Sequence, residues 1–438
     1  MPFCWKIENF FVSLPTKQTA IDMKKITFLL VAAFAANIAS AQKLVGGDIS
    51  MLPKYEEKKA VYKDKDGKSI SDVLLFMKEQ GMNAMRVRLF VDPSQAPADH
   101  KDQGVYQDLA YVKALGKRIK DAGMTFFLDF HYSDTWTDPG KHSTPASWTA
   151  TSAEELAQTL YDYTVSALNE LKEYGAEPDY IQVGNEITYG QLWPTGHIQP
   201  YSPWGGYPKS NGSWDNFYLY IKKGTEACRF ACPNAKVVIH VEMSKSGYNV
   251  MPFFQKFTTY NPDYDIIGLS YYPYYHGNLT TLNNLLTSLE STYPSKKIQL
   301  VEAGYPNAYY PGDASFDYTA TYPATPEGQQ SFTKALINTL NTHANVDGLY
   351  WWYPEANGNY VSSNWYNMGL WNNNSPHKAL PALYELKNFR DDVDGIKEMR
   401  GRNNVATSQW FTLDGRQLSA EPTKQGIYIA NSQKVIVR

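Results

Sequence analysis

Two glutamates sit where acid–base or covalent chemistry could be done. Glu186 lies near the end of the apolar run Tyr180–Ile187, in Gly184-Asn185-Glu186, and Glu302 closes the run Ile298–Ala303, in Val301-Glu302-Ala303. An acid buried at the end of such a run is costly unless it is paired or used. One such residue is commonly a structural ion pair. Two of them make a candidate pair in which one carboxyl protonates a departing oxygen while the other attacks carbon or activates water. That division of labour is the one glycosidic bond cleavage needs. A nucleophilic carboxylate must stay ionised, so a cation is expected beside it. Arg86 and Arg88 are two apart in a third run and share one strand face. Arg88, closer to the end, is the expected partner of Glu302, unless both arginines serve structural acids.

Competing chemistries find less support. The eight histidines show no metal-ligand spacing, and no Gly-x-Ser-x-Gly elbow or Gly-rich phosphate loop is present. A net charge of −3 gives no electrostatic reason to expect nucleic acid or an anionic membrane. Glu242, two residues after His240, reads as a rim contact or a structural ion pair.

The elements that must position these groups repeat. Eight short runs rich in β-branched and aromatic residues occur at Leu44–Met51, Ala84–Val91, Thr125–Tyr132, Tyr180–Ile187, Val237–Glu242, Ile266–Tyr272, Ile298–Ala303 and Gly348–Tyr353. Helix-like stretches with apolar residues three and four apart separate most of them, the clearest being Ile70–Gln80, Leu109–Ala122, Ala153–Tyr174, Asn216–Ala231 and Gln329–His343. Gly81, Gly123 and Gly175 sit where helix stops are needed. Alternation of near-continuous apolar strands with helices predicts an α/β fold, a (β/α)8 TIM barrel over residues 42–388. Catalytic groups are then expected at the C-terminal ends of the strands. Past Asn388 the texture changes to the charged stretch 390–402 and short strand-like pieces, Gln409–Leu413, Gly426–Ala430 and Lys434–Val437. Residues 389–438 are expected to form a tail or small β appendage without catalytic role.

The N-terminus reads as an address. Met23-Lys24-Lys25, an apolar stretch from Ile26 to Ala36, and Ala39-Ser40-Ala41 have the three-part layout of a signal peptide over residues 23–41, with 1–22 an upstream extension. The apolar stretch is too short to span a bilayer, so export without a membrane anchor is expected. Cys228 and Cys232 would remain in the mature chain, as a pair or as buried thiols. Aromatic residues reach 14% of the chain, and rings stacking on sugar C–H faces are one cause of such enrichment. The Trp- and Tyr-rich segment 191–214 reads as a self-packed loop, a sugar-binding wall, or both.

These residues carry a resemblance. Asn185-Glu186, Glu302 and Trp352 are similar to the clan of retaining barrel glycosidases. More narrowly, Gly47-Asp48-Ile49-Ser50, Arg86-Val87-Arg88, the block from Asp129 through His131 and Trp136 to Lys141, Gln182 to Ile187, Ser270 to Tyr274, Val301 to Tyr305 and Tyr350 to Pro354 resemble glycoside hydrolase family 53, the arabinogalactan endo-β-1,4-galactanases. The resemblance implies cleavage of internal β-1,4-galactosyl bonds with retention, Glu186 as acid/base and Glu302 as nucleophile. It implies Asn185 on the sugar 2-hydroxyl, Tyr271 close to Glu302, Trp352 as an apolar floor, and Arg88, Asp129, His131 and Trp136 along the cleft. The same machinery on β-mannan, β-glucan or xylan, and a non-hydrolytic glycan-binding protein, are the alternatives. No cofactor or metal is called for. Some members carry calcium after the eighth strand, but 357–374 is rich in Asn and Ser and lacks Asp, which argues against it. A monomer acting on a polysaccharide is expected. Tyr353 stands where the family often has Glu, and His142-Ser143 replaces a usual Gln, both bearing on subsites.

Overall fold

The computed structural model describes residues 43–198, 213–245, 247, 249–358 and 365–389, and then 410–412, 416–418, 422–424, 426–430 and 433–437. The upstream extension, the signal peptide and the charged stretch 390–402 lie outside the described residues, as do 199–212 of the aromatic segment and 359–364 of the Asn- and Ser-rich one.

Eight parallel strands close into a barrel: β1 (Leu44–Asp48), β2 (Ala84–Leu89), β3 (Thr125–Phe130), β4 (Tyr180–Val183), β5 (Lys236–Glu242), β6 (Ile266–Tyr271), β7 (Lys297–Ala303) and β8 (Val346–Trp352), with β8 pairing back onto β1. The covering helices are α1 (Val73–Glu79), α2 (Leu109–Asp121), α3 (Ala153–Glu173), α4 (Trp214–Ala231), α5 (Val250–Thr258), α6 (Leu279–Thr292) and α7 (Pro326–Leu340). A 3-10 turn at Pro381–Asn388 follows β8. Each helix buries one stripe. In α2, Val112, Leu115 and Ile119 are buried at three- and four-residue spacing, and the Asp108 side chain caps its N-terminus. Ser152, Ser213, Asn278 and Thr325 cap α3, α4, α6 and α7 in the same way.

Alternation along the strands decides what faces the barrel axis. Leu44, Ala84, Phe127, Val238, Ile266, Val301 and Tyr350 form an apolar plug at one level. Inward positions nearer the strand C-termini include Asp48, Arg86, Asp129, Gln182, His240 and Ser270, all buried and all polar. A polar layer above an apolar plug is the place where burial is spent on chemistry rather than packing.

Strand β7 breaks the alternation. Val301 belongs to the plug, yet the next residue, Glu302, also reaches the barrel mouth. Irregular register between β6 and β7 at Leu269/Ser270, and between β7 and β8 over Leu300/Ala303, allows two consecutive residues to point inward.

Beyond the barrel, β9 (Trp410–Thr412), β10 (Gln417–Leu418), β11 (Gly426–Ala430) and β12 (Gln433–Val437) form an antiparallel sheet in the order β10-β9-β11-β12. The expected β appendage therefore exists. Cys228 and Cys232 are buried and not joined to each other, which decides between the two expectations held for them. Trp214 is the first residue of α4 and packs on Phe217, Phe253 and Tyr260, so this ring serves the helix layer rather than a sugar wall.

Candidate active site

A cleft of about 870 Å³ opens at the C-terminal ends of the strands, with Glu186, Glu302, Asn185, Arg88, Trp136 and Trp352 in its wall. The carboxyl of Glu186 reaches it through an unusual backbone. Gly184 has φ +89, and Glu186 itself adopts the left-handed region at φ 47, ψ 50. Such a conformation costs a non-glycine residue about 1–3 kcal/mol and survives only where its surroundings hold it. Here the Glu186 amide N–H donates to His240 Nδ1 at 3.2 Å, and His142 Nε2 donates to the Glu186 carbonyl oxygen at 3.2 Å. Ser270 Oγ donates to Glu186 Oε1 at 2.6 Å and stands 2.9 Å from His240 Nε2.

The two glutamates have different electrostatic surroundings. Glu302 Oε1 lies 3.0 Å from Arg86 Nη1, and its Oε2 accepts from Tyr272 Oη at 2.8 Å. Burial pushes the Glu302 carboxyl up to about 7, with Arg86 and then Tyr272 pulling it down. Among the described residues no cation is paired with Glu186. Burial, followed by the charges of Glu302 and Glu242, holds its carboxyl well above the usual carboxylate range, and only the Ser270 hydrogen bond opposes this strongly. A single proton shared between the two therefore rests on Glu186.

Arg86 is the hub of the polar layer. It is fully buried, with Nη1 3.0 Å from Asp48 Oδ2 and Nη2 donating to Asp129 Oδ2 at 2.8 Å and Asn185 Oδ1 at 2.9 Å. Three acids around one guanidinium keep it charged and fix its plane. Asn185 is held a second time, its Nδ2 donating to the Thr137 carbonyl at 2.8 Å. Arg88 bonds Asp48 Oδ1 at 3.0 Å and lays its guanidinium over the rings of Trp136 (4.5 Å) and Trp352 (5.3 Å).

Several sequence expectations are corrected. The cation beside Glu302 is Arg86 rather than Arg88, because Arg88 is drawn to Asp48 and the tryptophan faces at the cleft wall. The tyrosine on Glu302 is Tyr272, whereas Tyr271 Oη donates to the Gly277 carbonyl and its ring stacks on Phe332 of α7. Parity is the reason: Ser270 points inward, so Tyr271 points to the helices and Tyr272 returns to the cleft. Asp129 and His131 are buried behind the cleft wall rather than along it. His131 Nε2 is 3.1 Å from Asp129 Oδ2 and its Nδ1 accepts from the Thr137 amide at 3.2 Å. These two residues orient Arg86 and the Thr137 loop. Glu242 makes no ion pair among the described residues; it takes hydrogen bonds from Thr188 and Asn249.

Residues missed by sequence reasoning are Tyr272, Ser270 and His240 as direct contacts of the two glutamates, Asp48 as the acid joining Arg86 to Arg88, and Trp365 in the cleft wall. The inward parity of β6 was available as a signal for Ser270 and Tyr272. Trp365 comes from a loop with no periodicity to read.

An eight-stranded parallel barrel carrying this cleft belongs to the barrel glycoside hydrolases. Within that class the chain is a member of glycosyl hydrolase family 53, whose sequence pattern matches residues 44–386. It is 30% identical over 335 residues to arabinogalactan endo-β-1,4-galactanase A of Aspergillus niger, a match covering 74% of this chain and 89% of that protein. The GH53 catalytic domain of Ignisphaera aggregans superposes with a TM-score of 0.68 at 30% identity, covering 79% of this chain and 96% of that one. A solved structure of fungal β-1,4-galactanases gives a TM-score of 0.66 at 28% identity, over 79% and 99% of the two chains.

Proposed function

We propose that this glycoside hydrolase is a retaining endo-β-1,4-galactanase acting by double displacement. The observation that carries the mechanism is the asymmetry of the two glutamates. Glu302 has a guanidinium on one oxygen and a phenol on the other, so it is the one able to ionise and attack the anomeric carbon. Glu186, with no paired cation among the described residues and a neighbouring carboxylate, keeps its proton and delivers it to the departing oxygen. Once Glu302 is esterified its charge is gone, the Glu186 carboxyl drops, and Glu186 takes a proton from the water that breaks the ester. The amide of Asn185, clamped by Arg86 and Thr137, is oriented to hydrogen-bond the sugar 2-hydroxyl. Trp352 and Trp136 offer apolar faces for its ring.

Galactan as substrate is supported by the names of the relatives and by the family-specific block from Asp129 to Lys141. No cofactor enters this scheme, since both steps use carboxyl chemistry alone. We also infer export, from the signal-like pattern over 23–41; no helix among the described residues is long and apolar enough to cross a membrane. Reducing-sugar release from linear β-1,4-galactan, with β-mannan, xylan and carboxymethylcellulose in parallel, tests the substrate. Activity confined to galactan, and abolished in Glu302→Gln, is the expected result. Activity on another glycan would sink the substrate assignment, and silence on all four would return the binding-protein reading.

A further inference from the structure

Glu186 and Glu302 divide the barrel mouth into two arcs. One runs from β8 through β1 to β3 and carries Trp352, Arg88 and Trp136. The other is built from the ends of β5 and β6 and carries Glu242, Ser244 and Asn249, none of which has a part in the double displacement. Glu242 is the unexplained one. It is the inward-facing last residue of β5, 7% exposed, and lines the cleft. Its carboxyl is fixed from two sides. Thr188 Oγ1 hydrogen-bonds to Oε2, and Asn249 Nδ2 donates to Oε1 at 3.2 Å and to the Glu242 carbonyl at 2.9 Å. Lys245, three residues on, also lines the cleft but donates to the Ser315 carbonyl.

A buried acid without a cation, rigidly held in a cleft wall, costs stability unless something pairs with it there. The sugar attacked by Glu302 lies over Asn185 and the Trp352 arc in the scheme above. The sugar released by Glu186 must then leave toward the opposite arc, where Glu242 lines the same cleft as Glu186. We propose that Glu242 is a specificity residue for the leaving group, hydrogen-bonding a hydroxyl of the hexose on the far side of the cleaved bond. This rests on Glu186 being the acid. Burial pushes the Glu242 carboxyl up to about 8, so near pH 7 it is chiefly a neutral acid with one O–H donor and an acceptor oxygen. A sugar hydroxyl uses both.

The test compares two substrates that share the donor sugars and differ in what leaves: a β-1,4-galacto-oligosaccharide and a nitrophenyl β-1,4-galactobioside. Glu242→Ala should lower kcat/KM on the oligosaccharide about tenfold, as loss of a hydrogen bond in a closed site implies. The aryl substrate, whose leaving group has no hydroxyl for Glu242, should stay within about twofold. Glu242→Gln should recover most of the oligosaccharide activity, because an uncharged donor and acceptor are restored. An equal loss on both substrates, or no loss on either, would overturn the proposal. If Glu242→Ala does not fold, Glu242→Met, of similar length, carries the same comparison. A wild type inactive on both substrates would instead refute the galactanase reading itself.

Discussion

Tyr272 Oη donates to one oxygen of Glu302 at 2.8 Å while Arg86 stands 3.0 Å from the other. The nucleophile is thus held by one neutral donor and one cation, and each has a separable effect. Tyr272→Phe removes a donor to the ionised form, so the Glu302 carboxyl rises. Because the reaction needs this group ionised, the acid limb of the pH–kcat/KM profile should move to higher pH. A hydrogen bond to a charged group is worth roughly 1.5–3 kcal/mol, so activity at the optimum should fall about ten- to a hundredfold. An unchanged acid limb would contradict the arrangement.

Ser270 does the reverse for the acid. Its hydroxyl donates to Glu186 Oε1 at 2.6 Å and pulls that carboxyl down against burial. In Ser270→Ala the Glu186 carboxyl rises, and its protonated form persists to higher pH. The basic limb of kcat/KM should therefore shift upward, with the acid limb little moved. A basic limb moving downward would mean that Ser270 does not act on the acid.

Arg86 and Arg88 are both buried, but Arg86 meets three acids and Arg88 one, so they should differ in consequence. Removing the positive hub of a buried network takes the guanidinium from Asp129 and Glu302 and leaves Asp48 with Arg88. Arg86→Gln should cost about 3–5 kcal/mol in denaturant unfolding as well as nearly all activity. Arg88→Gln loses a contact to Asp48 and two ring faces, so its effect should fall mainly on KM. Equal destabilisation by both would refute this ranking.

Glu355 tests burial without function. It is fully buried, its Oε1 accepts from the Met51 amide, and burial pushes its carboxyl up to about 8. A folded value above the unfolded one means stability that is complete below about 4.5 and lost as pH rises through 8. Glu355→Gln should accordingly stabilise the protein more at pH 8.5 than at pH 5, with a difference on the order of 3 kcal/mol or less. Thermal unfolding of the pair at the two pH values reads this directly, and an equal shift at both would contradict it.

The barrel and its two mouth glutamates were legible in the sequence because both depend on local patterns. Apolar runs alternate with helical spacing, and an acid ending such a run stands out against it. What was not legible is which neighbour each side chain meets. Arg86 and Arg88 have the same parity, and only the third dimension tells that the first reaches Glu302 while the second turns to Trp136 and Trp352. The exchange of Tyr271 for Tyr272 has a different origin. The residues were adjacent in a tyrosine-rich stretch, and the inward face of β6 had to be assigned from Ser270. The consecutive inward residues Val301 and Glu302 depend on a register irregularity that no period-two reading anticipates. Asp129 and His131 looked like cleft residues because they lie in a chemically rich block. Their burial shows that such a block also contains the supports of the groups that touch substrate.

Glu302 as nucleophile and Glu186 as its acid/base partner together require net retention at the anomeric carbon. The most direct measurement is the ¹H NMR spectrum of the first product formed from β-1,4-galacto-oligosaccharide by the wild-type enzyme, recorded before mutarotation. The β-anomer appearing first is the result expected of double displacement through Glu302. The α-anomer appearing first would mean a single displacement by water, and would remove Glu302 from the role of nucleophile.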